Sequence, residues 1–361
     1  PGWGNNELQY YRDVPENVRV SDGTLKITAL RQNFGGKAYT STRLRTFGLF
    51  EFKYGRVEAS IKLPSTPGIW PAFWMLPTGS PYGGWAAGGE IDIMESVNFA
   101  DRIYGTIHHG GPFPGNVSNG GQYAPGTDFS QGFHTYAVEW DPDQLRWYVD
   151  DTLYKIINRD VWFSTADFTN PRAPFDHEFH LLLNVAVGGN FPGNPNGSSQ
   201  FPQTMEVDWV RVYQNTPEPF GGTPASIPGI VEAENFDEGY PGQVYQDADI
   251  GNQGGAYRTD VDVDIEASQG GGFNVGWIDF AEFMDYTVDV AQSGSYTVTA
   301  RVASPSTGGR VIFELDGVPV GPSLVVPVTG GFQTWDEVSM PVQLEAGTRR
   351  LRVQNISLPS A

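Results

Sequence analysis

The most regular signal along the chain is alternation. In GRVEASIKLP, Val57, Ala59, Ile61 and Leu63 share one side of an extended backbone while Arg56, Glu58, Ser60 and Lys62 share the other, which predicts a half-buried strand. FHTYAVEWDPDQLRWYVDDTLYKI continues in the same style as consecutive antiparallel strands, with turns predicted at Asp141-Pro142-Asp143 and Asp150-Asp151. MEVDWVRVYQ supplies one more strand, and only VWFSTADF hints at a helical turn. Many short strands without helices between them predict an all-β sandwich rather than a parallel α/β sheet. The alternation stops in QNTPEPFGGTPAS, where Pro, Gly and Thr take over, so residues 215–226 read as a linker between domains at 1–214 and 227–361. The second domain repeats the pattern on a smaller scale. GSYTVTARVAS alternates through Tyr296, Val298, Ala300 and Val302, RVIFELDGVPVG holds an Asp316-Gly317 hairpin turn, and RRLRVQNI is a late strand, so a second, smaller β-sandwich is expected.

Composition sharpens this picture. With 361 residues the chain suits two domains, each able to bury a core, and 45 Gly and 27 Pro provide the turns that many strands require. A net charge of −20, with 22 basic residues scattered among 42 acidic ones, leaves no basic stripe and argues against nucleic acid or an anionic membrane as partner. There is no apolar run of about 18 residues, hence no predicted membrane-spanning helix. Cysteine is absent, which excludes disulfides, thiolate metal sites and a thiol nucleophile. The chain begins at Pro1 without an initiator Met, as a processed or trimmed fragment would.

Candidate chemistry concentrates in GGEIDIMES. Glu90 and Asp92 share a strand face, but strict alternation would put Met94 beside them and not Glu95. A β-bulge at Met94 would shift the pleat by one residue and return Glu95 to that face. Three carboxyls so close would repel unless some keep protons, which drives their pKa values apart. A separation of about 5 to 5.5 Å would let one carboxylate attack an anomeric carbon while another protonates the leaving oxygen, the arrangement of a retaining glycosidase. A solvated acidic face or a calcium site would show the same spacing. Trp70, Trp74 and Trp85 lie close by in PGIWPAFWMLP and YGGWAAGGEIDIME, and indole faces suit the C–H faces of pyranose rings.

GEIDIMES together with WPAFWMLP, FHTYAVEW, FHLLLNVAVGGNFPGNP and DWVRVYQ resembles glycoside hydrolase family 16, most closely its laminarinase branch of endo-1,3-β-glucanases. The resemblance covers nearly all of residues 1–214. It implies a β-jelly-roll sandwich with a substrate cleft on its concave face. It further implies Glu90 as nucleophile, Asp92 as the assisting carboxyl and Glu95 as acid/base. The extra Met94 matches the bulged form of the family, whereas its lichenases have a shorter Glu-x-Asp-x-Glu spacing. By the same resemblance Trp85, Trp70 and Trp74 are cleft aromatics and Arg43 in YTSTRL contacts sugar. Asn184 in LLNVAVGG is a further candidate donor to a sugar hydroxyl. His108 and His109 in GTIHHGGP face opposite ways as strand neighbours, so one of them reaches the cleft, and His109 is the expected contact. His134 and His180 read as structural, and the HEFH pair, His177 and His180, points to opposite faces of a strand and makes no metal site. Asp208 matches the family's structural calcium position, with the carbonyl of Gly55 expected to complete the shell. No cofactor is expected to take part in catalysis.

IVEAENFDEGYPG, GGGFNVGWIDFAEFMDYTV and GGFQTWDEVSMPVQLEAGTRRLRV resemble a family 6 carbohydrate-binding module. That resemblance implies Trp277 and Trp335 as the aromatics that clamp a sugar, and Glu232 and Glu234 as a calcium-binding start. The usual closing strand and its sugar-contacting Asn are altered after LRVQNISLPSA, leaving Asn355 as the stand-in and a module that ends short at Ala361. The expectation as a whole is a secreted, bacterial, monomeric enzyme that cuts laminarin-like β-1,3-glucans with retention. The alternatives are a galactan-active relative (agarase, porphyranase or carrageenase) and a glucan-recognition protein without turnover.

Overall fold

A computed structural model describes residues 4–306 and 308–357. The chain divides between Gln214 and Asn215 into two units. The first is a jelly-roll sandwich of two antiparallel sheets. One sheet has six strands in the order Asn116–Tyr123, Ile103–Gly110, Glu90–Glu95, Ile69–Pro77, Phe179–Val187, Arg43–Arg45. The other has seven, in the order Thr152–Asn158, Gln144–Val149, His134–Trp140, Gly55–Lys62, Gln203–Tyr213, Thr24–Ala29, Val18–Ser21.

The alternating positions explain why the sheets stack. Val57, Ala59 and Ile61 of the Gly55–Lys62 strand are fully buried, and Trp140, Trp147, Tyr136, Phe73 and Phe179 fill the layer around them. Each large aromatic removed from water there contributes about 1.5–3 kcal/mol before the cost of ordering it. The expected hairpin forms at Asp150-Asp151, where both residues have positive φ (47° and 63°) and Val149 pairs Thr152, the two-residue turn whose twist suits paired strands. Among the described residues helix is limited to two single turns, Arg159–Val161 and Phe220–Gly222, the first just ahead of most of the segment that hinted at one. None is long and apolar enough to cross a membrane.

The second unit is also a β-sandwich. Ala225–Ile227, Phe283–Val290, Gly347–Asn355 and Arg310–Leu315 run side by side in one sheet, and Gly294–Val302 pairs Asp336–Leu344 in another. Phe236, Val244, Tyr286, Val288, Phe313, Met340 and Val342 form its buried core. Residues 215–226 are not a free linker. Glu218 bridges Glu238, and Ala225–Ile227 adds a parallel edge strand to Phe283–Val290. Pro and Gly there shape turns within the unit, because backbone donors next to an open sheet edge are better satisfied by pairing than by solvent alone. The end of the chain at Ala361, where the module was expected to fall short, lies outside the described residues.

Candidate active site

Strand register gathers the three carboxyls. Toward Ile103–Gly110, Glu90 faces His108, Asp92 faces Thr106 and Glu95 faces Tyr104, so alternate residues of one strand meet positions 90, 92 and 95 of the other. Ile93 and Met94 occupy the stretch where a regular ladder holds one residue. Toward Ile69–Pro77, Met94 keeps Phe73 as partner, Asp92 keeps Trp74 and Glu95 keeps Ala72, so Ile93 is the extra residue. The bulge therefore centres on Ile93, one residue before the expected Met94. Both side chains enter the sandwich core, so hydrophobicity does not distinguish them, and backbone pairing decides.

Neighbouring strands complete the face. Arg43 pairs Asn184, Asn184 pairs Ala72 and Ala72 pairs Glu95, one row running across four strands. Glu90 accepts a hydrogen bond from the Trp85 indole N–H at 2.9 Å, and Glu95 accepts one from Trp70 at 2.8 Å. Trp85 is 41% exposed and offers an open ring. Trp74 is buried, donates to Asn184 Oδ1 at 2.8 Å and lies 5.1 Å from the Arg43 guanidinium, so it braces polar neighbours beneath the surface. Arg43 also donates to the Tyr11 hydroxyl at 3.3 Å.

The histidine expectation is corrected. His108 is the residue on the carboxylate face, with Nε2 3.3 Å from Asp92 Oδ2 and 3.7 Å from Glu90 Oε1. His109 is fully buried on the opposite side, 2.7 Å from Asn119 Oδ1 and packed on Phe163. The parity was present in IYGTIHHG: buried Ile103 and Ile107 share the side of His109, which leaves Tyr104, Thr106 and His108 on the other.

Electrostatics follow from burial. Asp92 is pushed up to about 8 by desolvation. Glu95 also rises to about 8, first through burial and then through the charge of Asp92, against the opposing pull of the Trp70 N–H and His108. Burial, then Asp92, holds Glu90 well above the usual carboxylate range, while His108 and the Trp85 N–H favour its charged form. The group thus retains protons near neutrality and can both donate one and present a carboxylate.

Two supports were not visible in the sequence. Trp147, from the opposite sheet, donates its indole N–H to the Asp92 carbonyl at 2.8 Å and pins the strand just before the bulge. It reaches that carbonyl past Gly105, where any Cβ would collide with the Trp147 ring and the Tyr154 hydroxyl. The loop carrying Trp85 is held by Tyr82, which donates to Asp176 at 2.9 Å, and by Ser164, which donates to the Ala87 carbonyl at 2.9 Å.

The expected calcium pair does not come together. Asp208 is the extra residue of a second bulge, between the pairs Val207–Ile61 and Trp209–Ser60. Gly55 lies at the far end of that same neighbouring strand, roughly five rises or 16 Å away, too far for ligands of one ion. The other ladder, with Val207 opposite Leu25, carries Asp208 toward the Asp22-Gly23 turn instead.

In the second unit Trp277 is 55% exposed with φ of +48°, and Trp335 is half-buried under the Arg301 guanidinium at 4.6 Å. Glu234 is buried, which raises its carboxyl, whereas Glu232 is exposed. The Asn355 amide donates to the carbonyls of Ile278 and Asp279 at 3.3 and 2.8 Å, and its Oδ1 accepts from Ser357. Its polar atoms brace the loop after Trp277 and are not free for a sugar, contrary to expectation.

Comparison with known proteins agrees with this architecture. Residues 6–211 match the model of glycosyl hydrolases family 16, and residues 253–357 match carbohydrate binding module family 6. A glucan endo-1,3-beta-glucosidase A1 of Niallia circulans is 45% identical over 225 residues, 59% of this chain and 33% of that protein. A beta-glucanase of Rhodothermus marinus is 44% identical over 225 residues, 59% of this chain and 76% of that one. The catalytic domain of an endo-1,3-beta-glucanase (laminarinase) from Thermotoga petrophila superposes with a TM-score of 0.53 at 41% identity, over 60% of this chain and 86% of that one. This chain thus spans only a third of the Niallia protein but most of the other two. With one sandwich presenting paired carboxyls on a strand face and a second sandwich beside it in sequence, the chain belongs to glycosyl hydrolase family 16 and carries a family 6 carbohydrate-binding module.

Proposed function

We propose that the chain is a secreted endo-1,3-β-glucanase that hydrolyses laminarin-like glucans by double displacement, with the second unit holding the polymer near the cleft. The observation that carries the reading is the register placing Glu90, Asp92 and Glu95 on one face, with an indole N–H on each glutamate. Glu90 accepts the Trp85 indole N–H and lies 3.7 Å from the His108 imidazole, and it is assigned the negative charge. Its free oxygen attacks the anomeric carbon, the glycosidic C–O bond breaks, and the leaving oxygen takes the proton that burial keeps on Glu95. Glu95, now a carboxylate, removes a proton from water, whose oxygen replaces Glu90 at the anomeric carbon. Asp92, still protonated near neutrality, faces the nucleophile as a neutral neighbour and spares it a second charge. Tethering to a polymer-binding unit raises the effective substrate concentration at the cleft. The similarity to proteins named as 1,3-β-glucanases supports the choice of glucan.

The test is an anomer-resolved product assay on laminarin, mixed-linkage glucan and agarose. First release of the β-anomer from laminarin is expected. First release of the α-anomer would overturn retention, and release from agarose alone would overturn the glucan assignment.

A further inference from the structure

Among the described residues only one group brings three metal-type ligands together: Glu90, Asp92 and His108, one donor atom from each lying within 4.8 Å of the others. We propose that these three side chains form a binding site for a divalent transition cation of the zinc type, and that a cation bound there and a glucan in the cleft exclude one another. The binding itself is independent of the reaction proposed above. Only the exclusion of glucan rests on it.

The geometry is that of a three-ligand zinc site with one open position. Zinc bonds of about 2.0–2.1 Å in a tetrahedron place neighbouring ligand atoms about 3.3–3.4 Å apart. Nε2 of His108 lies 3.3 Å from Asp92 Oδ2 and 3.7 Å from Glu90 Oε1, so two edges of the tetrahedron are already near their closed lengths. The Asp92 side chain is only 5% exposed, yet its Oδ2, aimed at His108, has no hydrogen-bond partner. A buried carboxyl oxygen without a hydrogen-bond partner is costly, and a cation that displaces the Asp92 proton would satisfy it.

The ligands are held from behind. Trp85 occupies the second oxygen of Glu90 and leaves Oε1 directed at His108, while Trp147 fixes the Asp92 backbone. One imidazole and two carboxylates suit zinc or copper, whereas calcium and magnesium favour all-oxygen shells and gain little from an imidazole. His108 Nδ1 is buried without an acceptor, and lack of that outer partner lowers affinity by about 10- to 100-fold relative to a fully supported site. The cation would occupy the oxygens that a sugar must approach, so competition follows from position alone.

Calorimetric titration of zinc chloride into the chelator-treated full chain tests the site without any substrate. One equivalent should bind. His108→Gln should weaken that binding at least about tenfold, and His134→Gln, which alters only the separate His134–Asp150 pair, should leave it unchanged. Should His108→Gln fail to fold by circular dichroism, Asp92→Asn gives the same reading. No binding by the unaltered chain, or equal binding by His108→Gln and its replacement, overturns the site. On laminarin, zinc should raise the apparent KM without lowering kcat. A lowered kcat at unchanged KM overturns the exclusion while leaving the site in place.

Discussion

The indoles of the two units differ in what they face. Around the carboxyls, Trp70, Trp74 and Trp85 each direct an N–H at a side-chain oxygen no more than 2.9 Å away. In the second unit Trp277 stands 55% exposed just beyond the Phe273–Val275 strand, and the N–H of Trp335 is buried with no hydrogen-bond partner while Arg301 covers its ring. A charge that must attack one atom has to be fixed in space, and a donor at hydrogen-bond distance fixes it. Stacking against a neutral ring needs only an uncovered flat surface, which Trp277 leaves open.

The contrast can be broken most severely at Glu90, the proposed nucleophile. Glu90→Gln should lower the rate of reducing-end release from laminarin by about a thousandfold or more while glucan binding persists; undiminished turnover would remove Glu90 from the role. Next in size is Trp85→Phe, which keeps the ring and deletes the donor. A hydrogen bond to a charged group at this partly open position contributes about 1–2 kcal/mol, so kcat/KM should fall about 5- to 30-fold. Trp335→Phe should leave hydrolysis of soluble oligosaccharides unchanged in the same assay.

A smaller effect separates stability from activity. Because Asp92 and Glu95 are both raised to about 8, the folded chain keeps protons that the unfolded chain has released, and stability falls as pH rises from about 4 to about 8. Asp92→Asn removes one such group. It should gain about 0.5–2 kcal/mol over the unaltered chain at pH 8 in urea denaturation and almost nothing at pH 4, while losing activity. In the unaltered chain, turnover should decline above pH 8 as Glu95 loses the proton it donates. The mildest change is Trp277→Ala, expected to weaken pull-down on insoluble glucan about 2- to 10-fold with hydrolysis of soluble oligosaccharides unaffected.

Much of this was readable from residue order. Alternation in GRVEASIKLP placed Val57, Ala59 and Ile61 inside, and the count from Glu90 to Glu95 required a bulge, because both features depend only on parity. What escaped was decided between strands. Ile93 rather than Met94 is extra because of how Phe73 and Trp74 pair across from them. Gly55 and Asp208 share adjacent strands yet sit at opposite ends, a matter of register that neither local sequence encodes. The Pro- and Gly-rich stretch after Gln214 looked like a tether because composition cannot reveal that Phe283–Val290 leaves an edge open for Ala225–Ile227. For the histidines local parity suffices, because Ile103 and Ile107 turn inward with His109 and leave His108 on the carboxylate side.

The Trp147 hydrogen bond to the Asp92 carbonyl has an implication for how such a cleft can diversify. The anchor of the reactive strand comes from the sheet behind it, through the gap that Gly105 leaves. The strand that carries the three carboxyls is therefore held in register from the rear, by a contact that no side chain of the carboxylate face makes. A laboratory redesign of the cleft should leave this rear bolt, Trp147 with Gly105 beside it, alone.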